Sequence, residues 1–139
     1  MAAAIAWGIP TLYHKPAEVT FAEIERIEAL SEAELDQLPF GAIHLDREGT
    51  ILSLNQRERE ATGLAADAVR GKNFFADVAP CANVQEFAGR FREGVEAGSL
   101  HAVFPYLFEF PGTPRRVWVT LYFSSDNGSA WVFVRDDRE

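Results

Sequence analysis

The chain has 139 residues, enough for one domain, and its 47% apolar content with 12% aromatics can fill a real core with room for one ligand pocket. A formal net charge of -8, from 21 acidic and 13 basic residues, argues against a nucleic-acid or anionic-membrane partner and fits a solvated acidic surface. No apolar run approaches the ~20 residues that a membrane span needs, and the first four residues lack a basic start, so a soluble cytoplasmic protein is expected.

Residues 1–19, with Pro10 and Pro16, hold no sustained period and read as an arm. Two helix starts follow, Thr20 with Glu23 and Ser31 with Glu34, each of the form in which a hydroxyl satisfies a free amide and a carboxylate reaches back. They predict a helix over 21–30, with Phe21, Ile24 and Ile27 on its apolar side, and a short one over 32–37, together an N-terminal cap. Residues 41–55 read as strand, turn, strand, with the turn around Asp46 to Gly49. Helix formers fill 56–62 and stop at Gly63, and 74–78 reads as one helical turn before Pro80. Over 84–96, Val84, Phe87, Phe91 and Val95 recur at helical spacing, with Gly98 as the end. Three strands close the chain, near 100–109, 115–123 and 129–135, with Asn127-Gly128 as the tight turn before the last. Two strands, helices, then three strands imply an antiparallel sheet in an α+β domain.

Cys81 is the sole cysteine, which excludes an intrachain disulfide and favours an intracellular setting. Its spacing leaves open a buried structural thiol or a thiol with a covalent role. A nucleophilic enzyme needs a base, and His14, His44 and His101 form no motif with it; one cysteine and three scattered histidines offer no zinc spacing either. Glu58 sits in the polar run QRERE and by periodicity alone reads as a solvated helix residue.

Three blocks carry a more specific signal: GKNFFADVAPC, ending at Cys81; LPFGAIHLDREGTILSLN followed by Glu58, Thr62 and Gly63; and FREGVEAGSL followed by Phe104, Tyr106, Phe108, Thr113-Pro114 and the closing residues 131–134. Together, from about Leu30 to Val134, they resemble the photoactive yellow protein family, small blue-light receptors of the PAS-fold superfamily. The resemblance implies a PAS fold: a five-stranded antiparallel sheet with connecting helices behind an N-terminal helical cap. It divides the chain into an arm and cap over 1–38 and a chromophore-binding domain over 39–139. It also implies p-coumaric acid held as a thioester on Cys81, with light isomerising its double bond and the Cys81 amide holding its carbonyl.

By the same resemblance Glu58 is a protonated carboxyl that donates a hydrogen bond to the chromophore phenolate and later gives up its proton. Thr62 is the neighbouring hydroxyl, and Ile43, Val78, Phe108 and Phe110 are apolar pocket positions. Three positions depart from the family pattern: Leu54 stands where the family has a tyrosine donor, Leu64 in place of an arginine, and Gly112 in place of a methionine. The expected protein is therefore a photoreceptor rather than an enzyme, monomeric or weakly dimeric, signalling to an unknown downstream protein. The alternative is a PAS-like ligand-binding or interaction module with weak or altered photochemistry, which Leu54 and Leu64 favour.

Overall fold

The computed structural model describes residues 19–110 and 113–136. Most of the expected arm with His14, Gly112 and the side chain of Phe110 lie outside the described residues. In chain order the strands are β1 (Gly41–Leu45), β2 (Ile51–Leu54), β3 (Ser99–Phe110), β4 (Thr113–Ser124) and β5 (Ser129–Asp136). They form one antiparallel sheet in the spatial order β2-β1-β5-β4-β3. The first and last strands of the described residues thus meet near the centre, Ile43 opposite Val132.

Side chains alternate across a strand, and both faces of this sheet are covered. One face buries Ile43, Leu45, Val117, Val119, Leu121, Phe123, Val132 and Val134 against the helical segments. The opposite face buries Ala42, Tyr122, Trp131 and Phe133 under Ile24, Ile27 and Leu35 of the N-terminal cap. A sheet covered on both sides explains why the last strand reads as an almost unbroken apolar run, with Ala130 through Val134 all buried.

The cap helices are α1 (Phe21–Glu28) and α2 (Glu32–Leu35), and both expected capping boxes form. The Thr20 amide donates to Glu23 Oε1 at 2.9 Å, and the Ser31 amide to Glu34 Oε1 at 2.9 Å. Both helices end about two residues early, because the last turns tighten: the Ala29 and Leu30 amides bond to Arg26 and Ile27 carbonyls. Phe21 departs from expectation. It is 58% exposed, lying with one face on the His101 ring at 4.5 Å between centroids and the other toward solvent.

On the other side of the sheet lie α3 (Gln56–Thr62), α4 (Ala66–Val69), a π-helical turn (Phe74–Val78), a 3-10 turn (Pro80–Ala82), a second π-helical turn (Gln85–Gly89) and α5 (Arg90–Ala97). Gly63 ends α3 at φ 75°, a left-handed value that a β-carbon would strain. The four-residue α4 is too short to leave a period in the sequence. The single helix expected over 84–96 is instead two pieces. Phe87, Ala88 and Gly89 are all buried, and three consecutive inward residues do not suit a 3.6-residue period, whereas a wider π turn brings them to the core together. Val84 precedes that turn in extended backbone and is 40% exposed, not part of an apolar stripe.

Candidate functional site

The site is organised by Asn55, which ends β2 and caps α3. Its Oδ1 accepts from the Ala42 amide at 2.9 Å and the Glu58 amide at 3.2 Å. Its Nδ2 donates to the Leu35 carbonyl at 2.9 Å and the Phe40 carbonyl at 3.0 Å. The side chain is buried, and every donor and acceptor position it offers is used. One amide therefore ties the cap, the first strand and the helix that carries Glu58. Asp36 of the cap reinforces the joint, accepting from the Gln56 amide at 2.7 Å and pairing with Arg59 at 3.3 Å.

Glu58 is buried at 3% exposure, against its polar sequence context. It packs on Gly41, where a β-carbon would collide with Glu58 Oε1, so the absence of a side chain there leaves room for this carboxylate. Its carboxylate does not stand alone. Arg115 Nη1 donates to Oε2 at 2.9 Å and Nη2 to Oε1 at 3.3 Å, while Arg115 Nε reaches Asp136 at 3.4 Å. The register of β3 and β4 sets Arg115 directly opposite Phe108, which delivers the guanidinium to this point. Burial opposes the charge on Arg115, but the bond to Glu58 and the charges of Glu58 and Asp136 outweigh it and hold the guanidinium above its ordinary range.

Both carboxylate oxygens of Glu58 thus accept from Arg115, a partner that the expectation for Glu58 did not include. The sequence carried no signal of the partner, which lies 57 positions away. Thr62 lies beside Glu58 on α3. Its hydroxyl donates to the Glu58 carbonyl at 2.8 Å and accepts from the Leu64 amide at 3.2 Å, so its one proton is committed to the helix.

Seven of the nine expected site residues converge on one cavity: Ile43, Leu54, Glu58, Thr62, Leu64, Val78 and Phe108 line it with Ile51, Val69 and Phe74. Its volume is about 10 Å³, room for a single water. Phe110 lies outside the described side chains. Cys81, half-buried on the 3-10 turn, packs against the same apolar cluster but is not among the residues that line the cavity. Its carbonyl accepts a 2.6 Å hydrogen bond from the Tyr106 hydroxyl. Burial raises the Tyr106 phenol above its usual range, with Cys81 as the next cause, which keeps it a neutral donor. Tyr106 stands between Phe104 and Phe108 at every second position of β3 and contacts Phe87 edge-on. A lone hydroxyl on such an apolar stripe is the signal that could have placed it in the site, since a buried tyrosine needs a partner.

The PAS fold family matches residues 29–136. The photoactive yellow protein of Rhodothalassium salexigens is 47% identical over 106 residues, 76% of this chain and 85% of that protein; the one from Halochromatium salexigens is 45% identical over the same length and shares. The chain belongs to the photoactive yellow protein family. The crystal structure of the photoactive yellow protein domain from the sensor histidine kinase Ppr of Rhodospirillum centenum agrees: TM-score 0.77, 39% identity, 81% of this chain and 98% of that domain. The expected α+β PAS fold is thereby established, and likeness to photoactive yellow proteins supports a PAS photoreceptor with a chromophore. Among the described residues no helix is long and apolar enough to cross a membrane.

Proposed function

We propose that this chain is a blue-light photoreceptor carrying p-coumaric acid as a thioester on Cys81. The observation that carries the reading is the convergence of seven family-matched positions on one cavity, with the sole, half-buried thiol packed against the same apolar cluster. The residue set suits such a group: a thiol on the shared cluster, apolar walls, and Glu58 and Thr62 as the polar residues of the lining. The volume requires that Leu54, Leu64, Val78 and Phe108 part to admit it, since about 10 Å³ is far less than an aromatic acyl group occupies.

When bound, the p-coumaroyl group supplies visible absorption and a double bond that light isomerises. The chain does the rest. Cys81 anchors, and Tyr106 fixes the carbonyl of the anchoring residue. Phe87 and Phe108 pack edge-on against Tyr106 at 5.1 and 5.4 Å between ring centroids. Glu58 is the one titratable group on the cavity wall and so the one able to hold or release a proton there, provided it first leaves Arg115. The reading extends to a cytoplasmic receptor, monomeric or weakly dimeric, with a downstream signalling protein as its partner.

The small cavity with leucine at 54 and 64 favours one alternative, a dark ligand-binding or interaction module. The two separate on absorption. After incubation with activated p-coumaric acid, the photoreceptor gains a visible or near-ultraviolet band that bleaches on a flash and returns in the dark. An adduct whose band is unmoved by light would support the dark module.

A further inference from the structure

We propose that an outer cleft of this domain is a second ligand site, one that takes a small organic carboxylate through Arg57 and Arg135. The inference goes beyond the photoreceptor reading and does not depend on it. The cleft has a volume of about 240 Å³ and lies between α3, the end of β5 and the two residues that lead into β1. It shares no lining residue with the inner cavity. Five charged side chains line it: Arg57 and Glu60 of α3, Arg115 of β4, and Arg135 and Asp136 of β5.

The fold uses three of these charges and leaves two. Arg115 is engaged at Nη1 and Nη2 by Glu58 and at Nε by Asp136, while Glu60 accepts from the Gln56 side chain at 2.8 Å. Among the described residues, Arg57 and Arg135 have no ion-pair partner and no hydrogen-bond acceptor. Arg135 is the more telling of the two. Its Nε is buried and unbonded, and its guanidinium lies over the Phe40 ring, with Cζ 4.7 Å from the centroid. A buried donor without an acceptor is uncommon in folded proteins, so this is a guanidinium whose bonding capacity the fold leaves open. Stacking on Phe40 holds its plane, which lowers the cost of ordering it around an anion.

The lining also selects the class of anion. Three guanidinium groups against two carboxylates leave one net positive charge on the cleft, in a chain whose net charge is -8. One surplus charge matches a monoanion, and Glu60 and Asp136 on the same lining oppose a dianion such as phosphate. The planar arginine fork suits a carboxylate head. The rest of the lining is Pro39, Phe40, Ala61 and Val134, an apolar surface for a small hydrocarbon or aromatic body.

Benzoate is the probe, titrated into the full chain without chromophore at neutral pH and followed by amide NMR. Saturable shifts should centre on residues 39–41, 57–61 and 134–136, with a Kd of about 1 mM or tighter. Arg57→Gln and Arg135→Gln should each weaken binding about tenfold or more. Arg57 is exposed, so its substitution reads the cleft without disturbing the core. Arg116→Gln removes an exposed charge of β4 outside the cleft and should leave binding unchanged. Acetate supplies the head alone and benzyl alcohol the body alone; each should bind about tenfold more weakly than benzoate or worse. The absence of saturable shifts at the cleft, or equal losses in all three arginine variants, overturns the proposal. So does acetate, benzyl alcohol or phosphate binding there as tightly as benzoate. Shifts confined to Ile43, Val78 and Phe108 put benzoate in the inner cavity, which overturns the proposal and leaves the photoreceptor reading standing. Arginine-dependent binding at the cleft of a chain that takes no chromophore on Cys81 upholds the proposal and sinks that reading instead.

Discussion

Leu54 is buried on the cavity wall, at the position where the family resemblance expects a donor to the phenolate. A hydrogen bond to a charged group contributes about 1.5–3 kcal/mol, so Leu54→Tyr should lower the chromophore's apparent pKa by roughly one to two and draw a mixed dark spectrum toward a single red-shifted band. A pH titration of the dark spectrum in both proteins checks it. A wild type that already titrates as low as Leu54→Tyr would mean that another donor serves the phenolate. Glu58 marks the limit of reading single residues in a sequence. Its helix is polar at nearly every position, and only the family match pointed inward; what makes its burial tolerable is a guanidinium from β4, a long-range pairing that no local pattern encodes.

At the scale of elements, the cap is the part poised to respond. Two short helices cover one face of the sheet, and their joint to α3 rests on Asn55 and Asp36. If light leaves Glu58 charged and stripped of its partner, the cost of an uncompensated buried charge is several kcal/mol, roughly enough to loosen such a cap. Hydrogen exchange under illumination should therefore rise over residues 20–37 more than over 102–134, and Glu58→Gln should weaken the effect. Equal exchange in light and dark throughout 20–37 would rule this route out. The cap helices were legible because a capping box is a local signal spanning four residues, and both formed. The segment 84–96 was legible only as helical: the π turn at Gln85–Gly89 arises from three successive residues being drawn to the core, a tertiary demand that overrides the apparent period.

At the scale of the whole molecule, the sheet separates two clusters, one under the cap and one around the cavity, and β1 and β5 at its centre contribute to both. The order of two strands, helices, then three strands was enough to anticipate a five-stranded α+β antiparallel sheet, and the family match supplied the positions of the cavity wall. Tyr106 beneath the Cys81 carbonyl and Arg115 beside Glu58 were not anticipated as site residues, because each acts through a partner set by strand register. The central claim of the proposed function is that Cys81 anchors the chromophore. Its most direct test is the intact mass of wild type and Cys81→Ser after incubation with activated p-coumaric acid. The account predicts the gain of one p-coumaroyl group per wild-type chain, with a new absorption band, and no gain in Cys81→Ser. A stable absorbing adduct on Cys81→Ser, or none on wild type, would contradict it.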